Sequence, residues 1–236
     1  MTLTYSTQID GPSARLDADE SLHLIQVLRK GTGDQVLVTN GLGSGWLAEI
    51  AQPGKKETLL RLLEPVEGPA DWGFELHLAL APPKQAARLE WFLEKVTEVG
   101  VNRISMLRTQ RTERTRWRHD RLQRVLIAAM KQSGQFRLPR LDPEDVSLEE
   151  LIGEEQHNTR TNWLPTCDWG NLPTLSSVYT PGASALIAIG PEGDFSPEEV
   201  RLAVAGGFRP VLLGANRLRT ETAGVVAAIQ IHTLHG

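Results

Sequence analysis

The run Ala185-Leu186-Ile187-Ala188-Ile189 is followed by Gly190-Pro191-Glu192-Gly193-Asp194-Phe195, and then by Ser196-Pro197-Glu198-Glu199. Five apolar residues without polar alternation read as a strand buried on both faces, the habit of a parallel sheet covered by helices. The glycine- and proline-broken hexapeptide is a loop. Ser196 then offers a capping hydroxyl, Pro197 a first helical residue and Glu199 the carboxylate of a capping box, so a helix starts there. Gly206-Gly207 ends it, and the unit repeats. Pro210-Val211-Leu212-Leu213 is a strand, Gly214 to Arg219 a loop, and Thr220 to His232 a helix. Upstream, Phe74 to Ala81 predicts a strand. Lys84 to Val99 predicts a helix with Leu89, Phe92, Leu93, Val96 and Val99 on one side and Gly100 as its stop. Arg103 to Leu107 is a further strand, followed by a helix over Trp117 to Ser133. This alternation predicts an α/β domain with a mainly parallel sheet. In residues 139–182, where proline and polar residues dominate, only Asn162-Trp163-Leu164-Pro165 reads as a strand.

The first seventy residues have a different rhythm. Gln35 to Thr39, Trp46 to Ile50 and Leu59 to Leu63 are short, closely spaced strand segments, and Asn40-Gly41 and its neighbours read as a hairpin turn. Such spacing predicts a small β-barrel. One helix interrupts it at Asp19 to Arg29, with Leu22, Ile25 and Leu28 as its apolar positions. The polar, proline-broken Glu64 to Asp71 is the expected linker, giving domains over 1–70 and 73–236.

With 236 residues, 40% hydrophobic and 23% charged, the composition is that of a globular protein large enough for two folding units. A lone cysteine, Cys167, excludes disulfide frameworks and cysteine zinc sites, and fits a reducing, cytoplasmic setting. The start of the chain lacks the basic and apolar pattern of a signal peptide, and no apolar run reaches the roughly 18–20 residues that cross a bilayer. The net charge of −4 speaks against nucleic acid only as an average. Between Arg103 and Arg140 stand eleven basic residues and two acidic ones, Glu113 and Asp120, a local charge of +9. Arginine-rich surface of that kind suits phosphate contacts. The competing reading is a solvated face neutralised by acids from elsewhere.

In a parallel sheet the loops after Ile189 and Leu213 leave the carboxyl ends of their strands, where open α/β folds bind ligands. Gly190, Gly193 and Gly214 let main chain approach a ligand closely. The second loop carries Arg219, Thr220 and Glu221 into a helix start. The glycines alone would equally serve tight turns, and Glu192 and Glu221 alone would equally serve helix starts. No phosphate-binding loop or dinucleotide fingerprint is present, the six histidines show no metal-ligand spacing, and no metal is expected.

Taken together, Ile189-Gly190-Pro191-Glu192-Gly193, Phe195-Ser196, Leu213-Gly214 and Leu218-Arg219-Thr220-Glu221-Thr222-Ala223 resemble the RsmE family of small-subunit ribosomal RNA methyltransferases, of the SPOUT class. Val27-Leu28-Arg29, Glu90-Trp91, Lys95 to Val101, and Gln132-Ser133 before Arg137 extend the resemblance over nearly the whole chain. It implies a PUA-like β-barrel followed by an α/β domain tied in a trefoil knot, and a homodimer that uses S-adenosyl-L-methionine to methylate N3 of one uridine, 1498, in the 16S ribosomal RNA of the 30S subunit. It also implies that Leu164, Ile189, Gly190, Pro191, Glu192, Gly193, Leu213, Gly214, Asn216, Leu218, Arg219, Thr220, Thr222 and Ala223 surround the cofactor. RNA would meet Arg29, Lys84, Arg111, Arg114, Arg118, Arg121 and Arg137. Methylating N3 requires a cation near the base and a proton acceptor. Arg219 is expected as the cation, with Glu221 or Glu192 as acceptor or orienter. Two positions depart from the family pattern: Asp194 stands where a third glycine is usual, and Asn216 where arginine is common. Those departures keep open an inert RNA binder of the same fold. A SPOUT enzyme acting on another RNA, and an α/β enzyme using another nucleotide, also remain open.

Overall fold

The computed structural model describes residues 1–69, 72–113, 116–155, 160–167 and 171–235. Arg114, expected at the RNA, lies outside the described residues, as do Ala70 and Asp71 of the expected linker. The chain forms two compact units, Met1–Asp71 together with Ile127–Leu138, and Trp72–Leu126 together with Pro139–Gly236.

In the first unit, β1 (Leu3–Tyr5), β2 (Gln8–Asp10), β3 (Ser13–Leu16), β4 (Gln35–Thr39), β5 (Gly45–Gln52) and β6 (Thr58–Val66) form one sheet in the order β1-β4-β5-β6-β3-β2. Its two outer strands are consecutive in the chain, separated only by Ser6 and Thr7, so the sheet has to curl on itself. Ser6 makes the closure explicit: its N–H donates to Thr39 O at 3.0 Å on β4, and its hydroxyl donates to Arg15 O at 2.6 Å on β3. The expected barrel is therefore present. Ala14, Leu16, Leu24, Val36, Val38, Ala48, Ile50 and Leu60 fill it.

Three details depart from the sequence expectation. The helix begins as α1 (Ala18–Leu22), capped by the Asp17 carboxylate on Glu20 N at 2.9 Å, but continues as a π-turn over His23–Val27. A π-turn holds more residues per turn than an α-helix, so the apolar phase slips. Leu24 is buried, whereas Leu22 and Leu28 are exposed and Ile25 is half-buried. Glu64, Pro65 and Val66 are not linker but the end of β6, paired with Leu47, Trp46 and Gly45. Residues 127–138 also group with the barrel: Leu138 N donates to Gly41 O, Gly43 N donates to Phe136 O, and Lys131 forms an ion pair with Glu20. The Phe136 ring lies so close to Gly45 that a Cβ there would stand 2.1 Å from it, so that glycine is a steric requirement.

The second unit is built on β7 (Leu76–Leu80), β8 (Arg103–Arg108), β9 (Arg140–Ser147), β10 (Thr161–Pro165), β11 (Ala185–Ile189) and β12 (Arg209–Val211), in the order β12-β10-β11-β7-β8-β9. Every pairing is parallel, as the unbroken apolar runs require. The helices of this unit are α2 (Ala86–Val99), the first part of α3 (His119–Gln132, which runs on into the first unit from Ile127), α4 (Leu148–Glu155), α5 (Leu175–Val178), α6 (Pro197–Ala205) and α7 (Thr220–His235). The capping box at Ser196 and Glu199 is formed in full. Helix α7 packs on α2 and on β7 and β11 in the sheet's middle. A Cβ at Gly224 would stand 2.4 Å from the Phe92 ring, so glycine sets how closely α7 and α2 approach. Three elements absent from the sequence reading, β9, α4 and α5, occupy the stretch 139–182, where prolines and polar residues concealed any period. Among the described residues no helix is long and apolar enough to cross a membrane.

One buried network anchors β7, β8 and β9. Ser105 Oγ donates to Asp142 Oδ2, and since a hydroxyl has one proton, His77 must donate from Nε2 to Ser105 Oγ at 2.7 Å. His77 Nδ1 is then a bare acceptor, and it is buried with no partner. Burial, followed by the Arg103 and Arg160 charges, pushes the His77 pKa down from 6.5 to about 2. Burial opposes ionisation of Asp142 too, but bonds from Arg103 and Ser105 outweigh it and hold that carboxyl below its ordinary value. Below about pH 6.5 the unfolded chain takes up a proton on this histidine that the folded chain refuses. His77 therefore contributes its full stability above that pH and loses it progressively as the pH falls towards 2, by up to about 1.4 kcal/mol per pH unit. Denaturant unfolding at pH 7 and pH 5 is expected to show the loss, and His77→Gln should flatten the slope; an unchanged slope in the variant would assign the loss elsewhere.

Candidate functional site

The loops after β11 and β12 leave the same edge of the sheet, because all strands run one way. Between them lies a cleft of about 320 Å³, within the size range of small-ligand sites. Its wall contains Ile189, Gly190, Pro191, Glu192, Gly193, Leu213, Gly214, Asn216, Leu218, Arg219, Thr220 and Ala223 from the sequence reading. It also contains Pro165, Thr166, Cys167, Asp194, Leu212 and Arg217, which that reading missed. Leu164 instead points into the core at 0% exposure, and Thr222 lines a neighbouring cleft. The missed trio 165–167 ends β10, so the parallel sheet places it beside the loop after β11. A strand read at Asn162–Pro165 carried that signal.

Specific bonds fix the two loops. Thr220 Oγ1, at the start of α7, donates to Gly190 O at 3.1 Å and joins the second loop to the first. Gly193 has φ +103°, in the region that favours glycine. Asp194 follows at φ +63°, which aspartate tolerates better than most residues. Its carboxylate accepts from Thr166 Oγ1 at 2.9 Å and Cys167 N at 2.8 Å through Oδ2, and from Phe195 N at 2.8 Å through Oδ1. Aspartate thus supplies a cross-link that glycine could not. Arg111, expected at RNA, reaches the same loop and donates to Gly193 O.

At Gly214, φ lies outside the left-handed region and a Cβ would meet no atom within 4 Å. Among the described residues nothing demands glycine there, so the bare main chain leaves room for a ligand. Gly190 differs, since a Cβ would press on the Phe195 ring at 3.0 Å.

Arg88 of α2 bridges two acids, with Nη1 3.3 Å from Glu192 Oε1 and Nε 3.6 Å from Glu221 Oε1. Glu221 is 6% exposed, and its second oxygen, Oε2, is buried without a partner among the described residues. Arg219 is exposed and lines both clefts. No described group of three or more histidine, cysteine or acidic side chains could hold a metal ion.

The basic stretch meets acids drawn from elsewhere in the chain. Arg103 and Arg140 pair with Asp142, Arg108 with Asp145 and Arg121 with Glu90, while Arg118 pairs with Asp120 within the stretch. Lys84 pairs with Glu113 at 2.7 Å, and Arg137 donates to Leu42 O at 3.3 Å. Among the described residues Arg29 makes no bond, and it holds φ +53°. The exposed pairs among these, such as Arg118 with Asp120 and Lys84 with Glu113, are worth about 0–1 kcal/mol and leave their cations exchangeable for phosphate, whereas Asp142 is buried and holds Arg103 and Arg140 in the network that anchors β7, β8 and β9.

Residues 70–232 match the family model described as an RNA methyltransferase domain, and 16–63 match an RNA methyltransferase PUA domain. The chain is 32% identical over 219 residues to ribosomal RNA small subunit methyltransferase E of Synechocystis, covering 90% of this chain and 71% of that one. The crystal structure of a probable rRNA-methyltransferase from Porphyromonas gingivalis superposes with a TM-score of 0.91 at 37% identity, covering 100% of this chain and 98% of that one. A Legionella pneumophila protein solved with its bound cofactor S-adenosylmethionine superposes with a TM-score of 0.86 at 28% identity, covering 98% and 97%. A barrel closed by Ser6, a parallel sheet with a cleft at its carboxyl edge, and these matches along both units place the chain in the ribosomal RNA small subunit methyltransferase E family.

Proposed function

We propose that this chain transfers a methyl group from S-adenosylmethionine to N3 of one uridine in the 16S ribosomal RNA of the small subunit. The observation that carries the reading is the cleft between the loops 190–194 and 212–219, in the part of the chain that matches the methyltransferase model. Its residues fit the cofactor. Main chain bare of side chains at Gly214 admits a ligand closely, and the apolar wall of Ile189, Leu213 and Leu218 suits an adenine ring. When bound, the cofactor supplies an electrophilic methyl group on a sulfonium. The chain's own residues align the acceptor base, shield the site from water and receive a proton. Arg219 is the cation that steadies the uridine carbonyls, and Glu221 is the acceptor.

The remaining family properties are part of the same proposal. The barrel over 1–70 and Arg29, Lys84, Arg111, Arg118, Arg121 and Arg137 hold RNA, and 73–236 performs the transfer in a cytoplasmic enzyme. Helix α7 follows the edge strand β12 yet packs at the middle of the sheet, which supports a threaded, knotted path. The same helix has apolar residues nearly all round and leaves Ile229 exposed, which supports pairing of two subunits through it. Asp194 cross-links its loop, which supports an intact cofactor loop in spite of the missing glycine and leaves Asn216 as the one departure that favours an inert binder.

Incubation with labelled S-adenosylmethionine and 30S subunits from cells lacking the modification is expected to label N3-methyluridine on nucleoside analysis; label in another nucleoside, or none, contradicts the proposal. Arg219→Ala should abolish transfer with an unchanged melting temperature, and retained turnover would refute its role. Gly214→Ala should leave the melting temperature unaltered and weaken cofactor binding at least tenfold in calorimetry. Unchanged affinity would move the cofactor out of this cleft.

A further inference from the structure

Beside the cofactor cleft lies a second, open cleft of about 330 Å³, lined by Ala87, Arg88, Trp91, Arg219, Glu221 and Thr222. We infer that this second cleft is the pocket for the target base, with Trp91 as its stacking platform and Arg88, Glu221 and Arg219 reading the base edge. The inference rests on the methyltransferase reading above and adds the site that selects uracil.

Three observations support it. Trp91 presents its indole to solvent at 41% exposure, on the outer side of a helix whose other face is buried. A flat exposed ring at the wall of a cleft suits a nucleobase taken out of its stack. Glu221 Oε2 is buried and has no donor, a costly state for a carboxylate oxygen unless a ligand supplies one. Arg219 lines both clefts, so a base held in the second lies next to a cofactor held in the first.

The edge chemistry then selects one base. Arg88, Glu221 and Arg219 present donor, acceptor and donor. Uracil presents the complement: O4 accepts, N3–H donates and O2 accepts. Cytosine and adenine carry a lone pair, not a proton, at the corresponding ring nitrogen, and it would face a carboxylate. Guanine has a suitable N1–H but sets an amino group against an arginine. In the transfer, the N3–H proton passes to the Glu221 carboxylate and the nitrogen pair forms the new N–CH3 bond. The S–CH3 bond breaks with its electrons retained by sulfur, so the sulfonium charge is lost, and the carboxyl later releases its proton to solvent.

Trp91→Ala, Trp91→Phe and Glu221→Gln are compared with the unaltered chain on 30S subunits at saturating cofactor. Trp91→Ala is expected to raise KM for subunits roughly tenfold or more, as loss of base stacking does, with kcat, cofactor affinity by calorimetry and melting temperature little changed; Trp91→Phe should restore most of the loss. Glu221→Gln should lower kcat by roughly a hundredfold or more, and raising the pH towards the ionisation of the base itself should recover rate, because an ionised uracil needs no acceptor. An unchanged KM in Trp91→Ala overturns the inference, as does a monomeric Trp91→Ala in sedimentation, which would assign the ring to a subunit contact. Normal turnover in Glu221→Gln, or a low rate that alkali does not restore, also overturns it. An unaltered chain that transfers nothing to uridine refutes the methyltransferase reading itself.

Discussion

In the second unit every strand runs the same way, and this single constraint puts every carboxyl end on one edge. From it follows the meeting of residues that are distant in the chain. The end of β10 at Pro165 to Cys167, the loop after β11 and the loop after β12 come from three separate segments and enclose one cleft. Hydrogen bonds then fix what the sheet brings together. Thr220 holds Gly190, and Asp194 holds Thr166 and Cys167. The site therefore owes its shape to main chain more than to reactive side chains, which is what binding a large cofactor by its edges requires.

Charge is organised on a similar plan. Most of the described positive residues between Arg103 and Arg140 have carboxylate partners, several from other segments, and a well-buried pair, Lys131 with Glu20, joins residues 111 positions apart. That pair resists salt and contributes to the first unit's structure, as Arg103 with Asp142 does to the second's. The exposed pairs are screened at physiological ionic strength, so phosphate can displace their carboxylates at little cost. Neutralisation and nucleic-acid binding are thus compatible on the same surface. Only the buried groups, His77 with Ser105 and Asp142 above all, are committed to folding.

What the sequence revealed depended on whether the signal was local. The strand at Ala185–Ile189, the capping box at Ser196 and the helix from Thr220 are stated by neighbouring residues, and all three are present. The slip of phase at His23–Val27 was illegible, because it is the packing of Leu24 into the barrel that selects a π-turn. The strand Arg140–Ser147 contains Asp142, Pro143, Glu144 and Asp145, and as an edge strand it tolerates them where a central strand would not. At the site, the glycine loops were legible as loops, and the resemblance supplied their meaning. Glu221 was ambiguous between a helix start and a reacting group. Its unpartnered buried oxygen, which only packing creates, is the observation on which its proposed role rests.

The central claim is that the two loops at the carboxyl edge hold the cofactor. Backbone hydrogen exchange measured with and without S-adenosylmethionine tests it most directly. The claim predicts slowed exchange confined to the amides of residues 189–195 and 212–223, with the barrel strands unchanged. Protection that falls on other segments, or no change in these two loops at saturating cofactor, would contradict it.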